Sequence, residues 1–199
     1  MKPEIEAKFL NVDHDVLRAK LKALGAECTH PMRLMRRKGY DFPDARLRHE
    51  HNGWVRVRDE GDKVTMSYKQ LDHRGLDGTK EVQLVVDDFE RATAFLTALG
   101  MRHNVYQETK RESWHLGDCE IELDHWPWTK PYIEMEGPDE AALTVLATRL
   151  GLDWAQAVYG SVEIVYRAEY DATDDEINNI PLITFEEPVP AWLEKRRRT

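Results

Sequence analysis

Cysteine is nearly missing from this chain: Cys28 and Cys119 are the only two in 199 residues. They lie far apart and in no metal-ligand spacing, which argues against a disulfide framework or a thiolate metal site. Both are expected to be reduced, buried and inert. Long apolar runs are also missing. No window approaches the roughly 18 to 20 consecutive apolar residues that cross a bilayer, so no membrane association is expected. The N-terminus is acidic where a secretory signal is basic and then apolar, and the expected location is the cytoplasm. A basic excess is absent too. The net charge of −9 disfavours nonspecific binding to nucleic acid or anionic membranes, although it leaves room for a local basic pocket. The C-terminal "EKRRRT" is a single short basic run and reads as a solvated tail.

What is present is charge in alternation. Hydrophobic residues make up 41% and charged ones 33% of the chain, which fits one globular domain with a sizeable core. After an opening strand, "DHDVLRAKLKALGA" places Val16, Leu17, Leu21 and Leu24 at helical spacing, with Asp13 as N-cap and Gly25 as the stop. "HPMRLMRRKGYDFP" reads as a strand of irregular pattern, and "DARLRHEHNG" as a polar loop. "GWVRVRDEGDKVTMSYKQL" reads as a β-hairpin turning at "EGD". "TKEVQLVV" is a strand, and "DDFERATAFLTALG" a second amphipathic helix. Strands are expected in "MRHNVYQETKRESWHL", "DCEIELDHW" and "KPYIEMEG", followed by a helix in "PDEAALTVLATRLGL". In the tail, "AQAVYGSVEIVYRAEY" reads as helical and "NNIPLITFEEPVPAW" as extended.

Several strands carry like charges two apart on one face: Glu4 with Glu6, Arg56 with Arg58, Glu134 with Glu136. Taken singly, each is the wet side of a half-exposed sheet. Taken together, they need neutralising partners, since carboxylate clusters attract divalent cations and arginine clusters attract phosphate. Amphipathic helices must also pack on something apolar. If they cover the apolar faces of the strands from outside, the charged faces turn inward and line a barrel lumen, which antiparallel strands close at about eight. A lumen of acids and bases suits a divalent metal with a polyphosphate.

With these residues in view, "EIEAKF" resembles the ExExK signature of the CYTH superfamily, the triphosphate tunnel metalloenzymes. The downstream order "VRVR", "SYKQ", "KEVQ", "TKRES", "EIELD" and "IEMEG" is similar to that family over roughly residues 1–170. The resemblance implies an α+β fold: an eight-stranded antiparallel closed β-barrel, the triphosphate tunnel, with helices packed outside. It implies one such domain over 1–199, with a core of about 1–170 and a C-terminal extension, 171–199. Carried over residue by residue, Lys8, Arg56, Arg58, Lys69 and Arg111 bind substrate phosphates. Glu4, Glu6, Glu122, Asp124, Glu134 and Glu136 hold metal, Mg²⁺ or Mn²⁺. Glu4, Glu6, Lys8, Lys69 and Glu81 form the catalytic set. The chain departs from the family at Gln83, where many members carry a second acid, and at Thr109, beside a Lys110 that is not expected to point inward. The family's C-terminal helix often caps the tunnel and sometimes adds a basic residue, for which the resemblance offers Tyr159, Arg167 and the final arginines as candidate capping residues.

The implied function is metal-dependent hydrolysis of inorganic triphosphate or an organic triphosphate. A class IV adenylate cyclase, making cyclic AMP and pyrophosphate from ATP, is the alternative. A non-catalytic polyphosphate- or nucleotide-binding module is a third reading, disfavoured because pure phosphate binding needs mainly bases. The expected partner is a small-molecule triphosphate and neither nucleic acid nor membrane, while exposed edges and six tryptophans make a homodimer possible.

Overall fold

The structure, a computed structural model, describes residues 1–198, with the side chain of Lys2 left aside. The chain runs through β1 (Lys2–Glu4), β2 (Glu6–Leu10), helix α1 (His14–Ala23), β3 (Glu27–Asp41), α2 (Arg46–His51), β4 (Gly53–Asp59) and β5 (Val64–Leu71). It continues through β6 (Thr79–Val86), α3 (Phe89–Ala98), β7 (Arg102–Leu116), β8 (Cys119–His125), β9 (Tyr132–Glu136) and α4 (Glu140–Leu150). Shorter elements end it: a 3-10 turn at Trp154–Gln156, α5 (Glu163–Glu169), α6 (Asp174–Asn178), β10 (Leu182–Ile183) and α7 (Ala191–Glu194). Among the described residues no helix is long and apolar enough to cross a membrane.

Strands β6, β5, β4, β3, β7, β8 and β9 are successive antiparallel neighbours. The N-terminal segment joins the two ends of this sheet. On one side Glu4 stands opposite Thr79 of β6; on the other Lys8 stands opposite Glu134 of β9. The stave is broken at Ile5, whose carbonyl accepts from Gly137 N–H while the Glu6 N–H turns to Leu76 O. One stretch therefore supplies two strands and closes the barrel, which removes the open edges of a flat sheet. The expected single opening strand is two, and the barrel has eight staves built from nine strands, with β10 adding parallel to β7.

Alternation sorts the side chains as the helices require. Ala7, Phe9, Ile121, Leu123, Ile133 and Met135 form the apolar outer surface on which Leu17 and Leu21 of α1 and Leu143, Leu146 and Leu150 of α4 pack. Phe89, Ala92 and Leu96 of α3 cover Tyr40 and Val57 on the other side. Each fully buried aliphatic or aromatic side chain contributes about 1.5–3 kcal/mol. The helices start where short polar caps stand: Asp13, Asp88 and Asp139 each accept a backbone N–H of the first turn. Gly151, at φ 69°, ends α4 in the left-handed conformation that glycine tolerates.

Five sequence expectations are corrected. The polar loop at 44–53 contains α2, because the Asp41 carboxylate accepts from the Leu47 and Arg48 N–H groups and caps the turn from outside the usual N-cap position. The helix expected over 155–170 is only α5; Val158 instead bridges to Lys8, and Gly160 at φ 116° breaks the run. The basic tail is tied back, with Arg196 on Glu176, Arg198 on Asp171 and Arg197 over the Tyr170 ring. Cys28 is exposed and Cys119 buried, both free, so only one thiol is buried as expected. The extended stretch expected before Trp192 holds β10 and then the short α7. Ile177, Ile180, Ile183 and Leu193 from this C-terminal segment pack with Trp126 and Tyr132 at one end of the barrel.

Candidate functional site

The charged faces of the staves enclose a cavity of about 660 Å³, reached by side chains from every stave. Its first wall is basic. On β4, Arg56 and Arg58 point in two residues apart; β3 adds Arg33 and Arg37, with Arg37 directly opposite Arg58 in register. Arg58 is held by Glu60, whose Oε1 accepts from its Nη2 at 2.7 Å and from the Thr65 hydroxyl at 3.0 Å. Burial, with Arg58 alongside, brings Arg56 down to about 9. Arg56 still has one partner, Glu81 at 3.1 Å. Its Nε has none, and neither does the Ser67 hydroxyl, which sits across the strand pair from it. A buried guanidinium donor on the cavity wall without an acceptor among the described residues marks a place for an oxygen-rich anion.

The second wall is acidic. Cross-strand pairing sets Glu6 opposite Glu136 and Glu136 opposite Glu120, so three carboxylates make one row. Burial first, then Glu120, Glu134 and Glu6, push Glu136 up to about 7. The next row holds Lys8, Glu134 and Glu122. Lys8 lies 3.1 Å from Glu134 and 3.3 Å from Glu6. Burial alone would raise Glu134, but Lys8 and Arg111 outweigh it and hold it low. Glu122 accepts from the Ser113 hydroxyl at 2.7 Å; burial, opposed by Arg111 and reinforced by Asp124, pushes it up to about 7. Between the two walls, Lys69 Nζ bridges Glu4 at 2.9 Å and Glu81 at 3.3 Å. Burial and the neighbouring Glu81 push Glu4 upward, against the pull of Lys69.

The donor set suits a hard divalent cation, which takes oxygen ligands. Among the described residues no three acidic, histidine or cysteine side chains converge as a ready-made cage. Mg²⁺ rarely uses one: it binds through one or two carboxylates and completes its shell with water and phosphate oxygens. The Glu6–Glu136–Glu120 row, three carboxylates with only Lys8 beside Glu6 as a cation, fits that mode.

The structure brings all but one of the residues expected from the sequence to the cavity wall. Asp124 is the exception. It is fully buried, does not line the cavity, and takes the Arg111 guanidinium through Nε at 2.7 Å, so it orients a base and leaves no open face for a metal. Lys110 points outward over Phe185. The residues that cap the cavity from the C-terminal side are Ser161, Val162, Glu163, Asp174, Asp175 and Asn178, whereas Tyr159 and Arg167 are not on its wall. Sequence reading missed Arg33, Arg37 and Glu60. Glu60 stands in the turn that ends the hairpin. Arg33 and Arg37 alternate without a slip, but their face also carries Met35 and Gly39 while Leu34 on the opposite face is exposed, so polarity does not mark the inward side.

Residues 2–161 match the model of the CYTH domain. Among solved structures, a candidate adenylate cyclase from Vibrio parahaemolyticus superposes with a TM-score of 0.71 at 18% identity, over 83% of this chain and 98% of that one. A protein from Pyrococcus horikoshii OT3 gives 0.64 at 21% identity, over 77% and 93%. A candidate adenylyl cyclase from Hippeastrum, described as having a dominant triphosphatase activity, gives 0.54 at 15% identity, over 93% and 100%. No curated protein sequence matches the chain. A barrel that turns its charged faces inward, with the family's match running through all of its staves, has one assignment: this chain belongs to the CYTH family.

Proposed function

We propose that the protein is a divalent-metal-dependent triphosphatase that hydrolyses inorganic triphosphate or an organic triphosphate inside its barrel. CYTH proteins are enzymes of the adenylate cyclase and triphosphatase kind and are generally metal-dependent. The observation that carries the proposal is the division of one cavity into a wall of arginines with an unpartnered buried donor and a wall of carboxylates. An oligophosphate has the acceptors that the first wall lacks, and its metal has the charge that the second wall lacks.

The chain's own residues have separable tasks. Arg56, Arg58, Lys8 and Arg111 hold the non-reacting phosphoryl oxygens and fix the chain in line for attack. Glu6 and Glu136 would hold a Mg²⁺ or Mn²⁺ ion, which would supply charge neutralisation on the phosphate oxygens. The Glu4–Glu81 pair beside Lys69 accepts the proton of the attacking water as its oxygen bonds to the terminal phosphorus and the bond to the bridging oxygen breaks. Lys69 and the arginines stabilise the charge that appears on the leaving diphosphate. Asp124 is a positioning residue for Arg111 in this scheme.

Adenylate cyclase is the second reading, because the Vibrio and Hippeastrum neighbours carry that description. The Hippeastrum protein's dominant triphosphatase activity supports the hydrolase as the first reading for this chain. A product screen over tripolyphosphate, thiamine triphosphate, ATP and GTP, each with Mg²⁺ and Mn²⁺, decides between them. Orthophosphate from a triphosphate is the expected result. Cyclic AMP and pyrophosphate from ATP would replace the hydrolase with the cyclase, and tight binding without turnover would leave only a binding module.

A further inference from the structure

Six lysine and arginine side chains on the inner faces of the staves each have a carboxylate within 4.0 Å: Lys8, Arg33, Arg56, Arg58, Lys69 and Arg111. Arg37 has none among the described residues. Its Nε donates to the neutral Gln107 Oε1 at 2.8 Å, and its guanidinium lies 4.2 Å from the centre of the Trp126 ring. Its register partner on the next strand is Arg58, another cation. Burial, with Arg58 beside it, brings Arg37 down to about 10, so it is charged at neutral pH, and Glu163 attracts it without coming into ion-pair range. A guanidinium placed against a second one, with a neutral amide for company, costs stability in the empty protein. Such a cost persists when the position serves a ligand.

We infer that Arg37, together with Arg58 and Gln107, forms an additional anion subsite of the tunnel, which takes one phosphoryl group of an oligophosphate. The inference rests on the triphosphate reading of the cavity. Two guanidinium groups side by side fit the several oxygens of one phosphoryl group, and the planar fork of arginine allows two parallel hydrogen bonds to it. Gln107 fixes the fork from behind by accepting from Nε, which leaves the terminal nitrogens of Arg37 free to donate. The stacked Trp126 ring shields the cation on one face without competing for those hydrogen bonds. The subsite lies level with Arg58 and next to the Arg56–Ser67 level, where the unpartnered donors are.

Stability and binding should respond to Arg37 in opposite directions, which a merely structural arginine would not show. The full chain is titrated calorimetrically with tripolyphosphate, in EDTA and again with Mg²⁺, and its thermal midpoint is measured without ligand. Arg37→Gln is expected to raise the Kd for tripolyphosphate by about 10- to 100-fold, the range for losing hydrogen bonds from a charged donor. The unliganded midpoint should stay level or rise, because a buried charge opposed by Arg58 is removed. Arg37→Lys, which keeps the charge and loses the fork, should recover part of the affinity. Wild-type protein that binds tripolyphosphate, with Arg37→Gln binding within about twofold of it, overturns the subsite and leaves the triphosphatase reading standing. A large drop in the unliganded midpoint of both variants also overturns it, by making Arg37 a structural residue. Wild-type protein that binds tripolyphosphate in neither condition removes the triphosphate reading itself, and the subsite with it.

Discussion

Arg58 and Glu60 show how a single ion pair links chemistry to stability. Glu60 is buried, and burial alone would raise its pKa; Arg58, with the Thr65 hydroxyl, outweighs this and keeps it ionised. Arg58→Ala therefore does two things. It removes a phosphate-binding fork, and it takes from a buried carboxylate its closest cation, leaving Thr65 and the more distant Arg33 and Lys63. The expected kinetic result is a KM for the triphosphate raised by about tenfold or more with a smaller change in kcat, since the lost contact is made in ground and transition states alike. The expected stability loss is about 1–3 kcal/mol. Combining it with Glu60→Gln should restore much of the stability and none of the KM, as measured by urea unfolding and initial rates on the same preparations. Glu6 separates the two effects differently. In Glu6→Gln the Thr79 hydroxyl keeps an acceptor and Lys8 keeps Glu134, so the fold is little affected. Turnover should nevertheless fall at least roughly 10- to 100-fold, the scale for groups that tune a metal site, with a raised Mg²⁺ requirement. Unchanged metal dependence with lost stability would remove Glu6 from the metal site.

At the scale of elements, α1 is clamped to β7 by a polar contact on the outside of the barrel. Arg18 Nε donates to Glu112 Oε1 at 2.9 Å, and the Trp114 indole donates to the same oxygen at 2.8 Å. Burial would raise the Glu112 pKa, but these two donors outweigh it and the result is a lowered one. A depressed folded-state pKa means a stabilisation fully present above the unfolded carboxyl's pKa of about 4.3 and lost as pH falls through the lower folded value. Glu112→Gln should therefore cost about 1.5–3 kcal/mol at pH 7, measured by urea unfolding, and the gap to wild type should close under acid. A gap independent of pH would rule out the charge as its source. The same elements show which parts of the fold are legible in the sequence. Helices α1, α3 and α4 are readable because each has an aspartate cap and a glycine after its last turn. The β4–β5 hairpin is readable because its alternation never slips. Strand β3 is the opposite case: buried Met35 shares the face of Arg33 and Arg37 while Leu34 on the other face is exposed, so polarity does not follow the alternation. Helix α2 is hidden because its cap, Asp41, lies several residues upstream of its first turn. The break at Ile5 depends on Gly137 and Leu76, distant residues that no local pattern announces.

For the whole molecule, the barrel inverts the usual arrangement: apolar side chains occupy the outer layer under the helices, and ionisable groups fill the centre. That inversion was legible because the helices and the strands both needed the same apolar surface, and only the outside of a closed sheet satisfies both. The site's membership was less legible. Alternation tells which residues face the lumen, and Asp124 satisfies it while serving only Arg111. The cost of the arrangement falls on the empty protein, where Arg37 is opposed by Arg58 and Glu136 by Glu6 and Glu120. A ligand of alternating charge relieves both walls at once, and linkage requires that such a ligand stabilise the fold. At a free concentration 100 times its Kd it contributes about 2.7 kcal/mol. In a chain of this size each kcal/mol shifts Tm by about 2–4 °C, so tripolyphosphate with Mg²⁺ should raise Tm by about 5–11 °C. Orthophosphate at the same concentration spans fewer of the cations and should raise it less. Because the cavity is enclosed, added NaCl should weaken the effect less than it weakens a surface ion pair. Calorimetric scans with Mg²⁺ alone, tripolyphosphate alone and both together give the comparison. The two together should exceed the sum of the separate shifts, since each ligand neutralises the wall that the other leaves charged. Strictly additive shifts would show that the two walls bind independently, and the walls would then not form one site.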